Sequence, residues 1–70
     1  MTEAPTPHFA EVKEWNQDVP GTTTIVHFWI NKETAVDAYY WQNSEGWDSD
    51  ISFESVEDCE ADARKWCADQ

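Results

Sequence analysis

Apolar and polar positions alternate with a two-residue period through the middle of this chain and change to a helical period near its end. Residues 22–30, Thr-Thr-Thr-Ile-Val-His-Phe-Trp-Ile, are β-branched and aromatic, side chains that pack well on a pleated sheet and lose rotamer freedom in a helix. They predict a strand with Val26, Phe28 and Ile30 on one face and Ile25, His27 and Trp29 on the other. Before it stands Val19-Pro20-Gly21-Thr22, where Pro presets φ for the second position of a type II turn and Gly accepts the positive φ of the third. Asn31-Lys32-Glu33-Thr34 interrupts the pattern. Residues 35–42 resume it with Val36, Tyr39, Tyr40 and Trp41, so the two runs predict a hairpin. After a second interruption at Asn43-Ser44-Glu45-Gly46, the alternation of residues 47–54 is the cleanest in the chain. Trp47, Ser49, Ile51 and Phe53 fall on one side, and Asp48, Asp50, Ser52 and Glu54 on the other, which predicts a third strand wet on one face.

From Ser55 the period lengthens. Val56, Cys59, Ala63 and Trp66 recur at spacings of 3, 4 and 3, one apolar stripe on a helix. The Ser55 hydroxyl can cap the first turn, Glu57 and Asp58 suit the positive end of the helix dipole, and Arg64 and Lys65 suit the negative end. The first twenty residues are less definite. Thr6-Pro7 can open a short helix with Phe9, Val12 and Asn16 on one side, or the same stretch can be a strand that the Pro20-Gly21 turn pairs with residues 22–30. We favour the helix. The expected fold is therefore α+β: a three-stranded antiparallel β-meander with a C-terminal helix on one face, and an N-terminal segment that is a short helix, giving α-β-β-β-α, or a fourth strand.

That element order and the length resemble the double-stranded-RNA-binding domain. The likeness stops at the last helix, where such domains carry lysines and this chain has Glu57, Asp58, Glu60 and Asp62. Like charges there exclude a duplex backbone. Asn31-x-Glu33 with paired Trp residues is similar to the turn of the MbtH-like adaptors, but the Ser-Leu-Trp-Pro that follows it there is absent.

Composition bounds the rest. Seventy residues make a single small domain that buries only about 60% of the surface its unfolded chain exposes. With 40% hydrophobic and 14% aromatic residues the chain is expected to fold despite a net charge of −11. No stretch approaches the roughly 18 apolar residues of a membrane span or the core of a secretion signal. The expectation is a soluble, cytoplasmic protein without a membrane partner. Cys59 and Cys67 on one helix stand about 12 Å apart at 1.5 Å per residue, too far for a disulfide, and read as free, partly buried thiols. With His8 and His27 they lack the paired spacing of a zinc site.

No catalytic constellation emerges. Gly21 and Gly46 are the only glycines, too few for a phosphate loop. Asp48-x-Asp50-x-Ser52 begins like a calcium loop, but Phe53 stands where Gly is required and Cys59 where the bidentate Glu belongs. We expect a non-enzyme without metal or cofactor.

What remains is surface. Between Glu45 and Asp62 the chain carries eight carboxylates and no Lys or Arg. On the predicted strand Asp48 and Asp50 share a face about 6.6 Å apart, and Glu54, Glu57, Asp58, Glu60 and Asp62 continue the series as an acidic edge that imitates a row of phosphates. In size and charge the chain resembles the inhibitors that bacteriophages make against host or defence nucleoproteins, including anti-CRISPR proteins. That likeness implies an inhibitor in the host cytoplasm that docks on the basic, nucleic-acid-binding surface of a protein such as a CRISPR effector, with no direct nucleic-acid binding of its own. The alternative is a small adaptor that binds a protein through an exposed aromatic sheet face of Trp29, Tyr39 and Trp41. A homodimer would also cover that face.

Overall fold

The computed structural model describes residues 9–70. Among them an antiparallel sheet has the order β1 (Phe9–Asp18), β2 (Ile25–Glu33), β3 (Ala38–Asn43), and a single helix, α1 (Val56–Ala68), follows. The α+β arrangement is the expected one. Its third strand is a different one.

Residues 9–18 form a strand where we favoured a helix; the Thr6-Pro7 start of that helix lies outside the described residues. The Pro20-Gly21 turn explains the outcome. Thr22 N donates to Val19 O at 3.1 Å, and Gly21 takes φ 75°. This closes a hairpin that pairs Asp18 with Ile25 and runs to Phe9 opposite Glu33, with a bulge between Glu11 and Lys13. A helix would have joined only Phe9 and Val12 on one face. As a strand the segment lays Trp15 flat on Phe28, ring centroids 5.3 Å apart and planes 8° from parallel.

The strand expected over residues 47–54 is reduced to two isolated bridges, Gln42–Asp48 and Tyr39–Phe53. Asn43 N donates to Trp47 O and Ser49 N to Trp41 O, and then Tyr39 and Phe53 exchange both hydrogen bonds. From residue 41 to 39 β3 advances by two, while the facing segment advances by four, from 49 to 53. Asp50, Ile51 and Ser52 are thereby looped out. The Ser49 hydroxyl accepts from Trp41 N at 3.1 Å, a side chain standing where a ladder carbonyl would. Ile51, placed inward by the alternation, is 64% exposed.

α1 lies on the sheet face of Val26, Phe28 and Ile30. Cys59, Ala63 and Cys67 reach it from the helix, and with Val19 and Trp41 these residues are the buried core. Val56 and Trp66 flank it half-buried. The Ser55 hydroxyl accepts from Asp58 N at 3.1 Å, the expected N-cap. The second turn is also as expected: Gly46 has φ 86°, and the Asn43 side-chain oxygen accepts from Glu45 N and Trp47 N.

Candidate docking surfaces

The carboxylate run divides into two groups with different surroundings. Glu45, Asp48, Asp50, Glu54, Glu57 and Asp58 are all exposed, and none lies within ion-pair distance of a Lys or Arg among the described residues. They follow one another along the segment that borders β3 and turns into α1. The hydrogen bonds to β3 and the Ser55 cap hold that segment at several points. It is a rim, tied at intervals, and differs from the expected strand face because Asp50 sits in the looped-out stretch.

Glu60 and Asp62 belong to the fold. Glu60 binds Lys13 of β1 and, at 2.7 Å, Arg64 Nε one turn along the helix. Hydrogen bonds from Lys13 and then Arg64 hold its carboxyl below the usual range. Arg64 also donates to Gln17 at 3.2 Å and stands 5.1 Å from the centre of the Trp15 ring. One Asp62 oxygen accepts from the Trp41 indole N–H at 2.8 Å. These two acids join helix to sheet.

The aromatic residues are sorted by register. Direct partners share a face, so Ile30 opposite Trp41 and Lys32 opposite Tyr39 place both aromatics on the helix side. Trp41 is 2% exposed, and Tyr39 packs against the core. The face expected to hold Trp29, Tyr39 and Trp41 together therefore does not exist. Trp29 lies on the open side with His27, Tyr40 and Phe9; Phe9 meets Tyr40 edge-on at 5.8 Å. That side is tied by polar contacts. Gln42 Oε1 accepts from the Trp29 indole at 2.8 Å and from Asn31 at 3.1 Å, and His27 meets Asn16 at 2.9 Å and Glu14 at 3.3 Å. Tyr40 was missed because alternation along residues 35–42 separates it from Tyr39 and Trp41 without saying which set faces the core, a choice that the pairing with β2 makes.

A cleft of about 330 Å³ opens between the end of α1 and the 43–47 turn, lined by Val19, Val26, Trp47 and Trp66 with Thr24, Glu45 and Gln70. Its one carboxylate has no second acid or base beside it. Cys59 and Cys67 are free and buried. Burial, and then the Asp62 carboxylate, push the Cys59 thiol up to about 12; burial, and then Asp18, raise that of Cys67. Neither is a reactive thiolate. Among the described residues no three His, Cys, Asp or Glu side chains are grouped to hold a metal ion, and no helix is long and apolar enough to cross a membrane. No family model, curated protein or solved structure matches this chain.

Proposed function

We propose that this chain is a protein-binding inhibitor that docks its acidic rim on a basic groove built for nucleic acid, of the kind CRISPR effectors and other nucleoproteins carry. The observation that carries the reading is the division of the carboxylate run. Glu60 and Asp62 are engaged within the fold, whereas Glu45, Asp48, Asp50, Glu54, Glu57 and Asp58 are exposed and have no cationic partner among the described residues. Folding supplies a reason for Glu57 and Asp58, which favour the helix start. It supplies none for Asp48, Asp50 and Glu54, whose mutual repulsion opposes the compact state. A basic groove would gain electrostatic steering from such a rim and would release the anions it holds. On this reading the chain catalyses nothing and needs no cofactor.

An adaptor role through the open sheet face is the second reading. It rests on Trp29 and Tyr40 lying on the side that α1 leaves uncovered. The polar ties of Trp29, Asn31 and Gln42 favour the rim over that face as the energetic centre.

Salt and substitution separate the two. A pull-down from host lysate at low and high ionic strength should retain a nucleic-acid-binding protein at low salt only, and added nucleic acid should displace it. Changing Asp48 and Asp58 to Asn, Asp50→Asn and Glu57→Gln together should abolish retention. Retention that survives those four changes and is lost with Trp29→Ala would make the chain an adaptor.

A further inference from the structure

The two edges of the sheet are treated differently by the fold. Residues 47–53 cover β3; β1 has no neighbouring strand on its outer side among the described residues. Which backbone groups that leaves free follows from the hydrogen bonds. The N–H and C=O of one residue point to the same side of a strand, and successive residues alternate. Tyr39 bonds outward to Phe53, so residues 38, 40 and 42 bond inward to β2. Their partners on β2 are 33, 31 and 29, which leaves 26, 28 and 30 to bond with 17, 15 and 13 of β1. His27 fits the same alternation, because both its backbone groups bond Ser44 on the β3 side. Beyond the bulge at Val12, the unpaired groups of β1 are therefore those of Glu14 and Asn16 and the N–H of Asp18, whose C=O accepts from the Cys67 thiol of α1 at 3.6 Å.

Charge then selects the occupant. The side chains of these three residues share the open face, since their partners are Trp29, His27 and Ile25. Glu14 and Asp18 are exposed; Glu14 has the His27 ring at 3.3 Å and no Lys or Arg within ion-pair distance, and Asp18 has no partner within that distance among the described residues. On the helix side the same strand offers Lys13, Trp15 and Gln17 with Arg64 beside them. We infer that the free edge of β1 takes up an extended basic segment of a partner protein as an added strand, with cations at alternate positions facing Glu14 and Asp18. Residues of that segment in between face Lys13 and Arg64 and are uncharged. A second copy of this chain is the wrong occupant. Pairing Asn16 with its counterpart would set Glu14 directly opposite Asp18 twice, and pairing Glu14 with its counterpart would oppose two glutamates; like charges so placed destabilise a sheet. Registers centred on Trp15 or Gln17 avoid those oppositions but, like the others, bring together two chains of net charge −11, whose repulsion opposes association. This inference concerns the edge opposite the acidic rim and does not rest on the inhibitor reading.

Three synthetic peptides test it on the full chain at low salt. One alternates Lys and Thr, one has the same residues rearranged into a Lys block and a Thr block, and one is the alternating peptide N-methylated on its Lys amides. The alternating peptide should slow hydrogen exchange at the Glu14, Asn16 and Asp18 amides, and Glu14→Gln with Asp18→Asn should weaken it by roughly tenfold. The block and the N-methylated peptides should bind far less, although their charge is the same. Equal binding of all three peptides overturns the inference, as does protection confined to residues 48–58 or no binding at all. Protection of those three amides without peptide would mean that a second copy or the chain itself already occupies the edge, and that also overturns it.

Discussion

Cys59 has no exposed surface, and its thiol, pushed up to about 12, is neutral at every ordinary pH. In the unfolded chain it ionises near 9.0. Above that value the unfolded state has lost a proton that the folded state keeps, so the stability this group contributes is complete below pH 9 and drains away as pH rises toward 12. The loss should run at about 1.4 kcal/mol per pH unit for one group. Urea unfolding at stepped alkaline pH should give a steeper decline for the native chain than for Cys59→Ala; equal slopes would mean that the thiol is solvated. The sequence reading of two free cysteines with one helical stripe already contained the burial. It did not contain Asp62, whose carboxylate meets the Trp41 indole and raises the thiol further. Trp41 illustrates the same limit, since alternation separates it from Tyr40 without saying which of the two faces the core.

Local chemistry decides the elements where a turn or cap is involved. Gly21, Gly46 and Ser55 each do what their type predicts, because a positive φ or an orphan helix N–H is a demand that few side chains meet. Ser55→Ala should cost about 1 kcal/mol, read as a lower urea midpoint with unchanged slope. A shift near zero would mean that Glu57 and Asp58 hold the helix start unaided. Long-range pairing decides the other elements. Residues 9–18 are compatible with a helix in isolation, and the hairpin overrides that preference by matching them with the most strongly β-forming run in the chain. Residues 47–54 alternate well but have no partner on their outer side among the described residues, and the side-chain bond to the Ser49 hydroxyl breaks the ladder. The acidic series was legible as a count, and its helical members by position; its shape was not, since that depends on the two-residue slip opposite β3.

At the scale of the whole molecule, a net charge of −11 must be held on a small surface. Lys13, Arg64 and Glu60 answer it at one point, where helix meets sheet. The rim is left to repel itself. Raising ionic strength from about 0.01 M to 0.15 M shortens the screening length from about 30 Å to about 8 Å, so the thermal midpoint should rise with NaCl, and less so in the variant with Asp48, Asp50, Glu57 and Asp58 neutralised. Partner binding through the rim should move the opposite way, and a midpoint indifferent to salt would mean that the rim does not strain the fold. The sequence by itself determined the α+β class, the two glycine turns, the helix with its cap and the excess of acid over base, because each of these is set by neighbours in the chain or by composition. Only the tertiary structure decided which strands make the sheet, which aromatics are core, and which acids are left to solvent, because pairing register is a contact between distant residues and a slip of one position exchanges inside for outside.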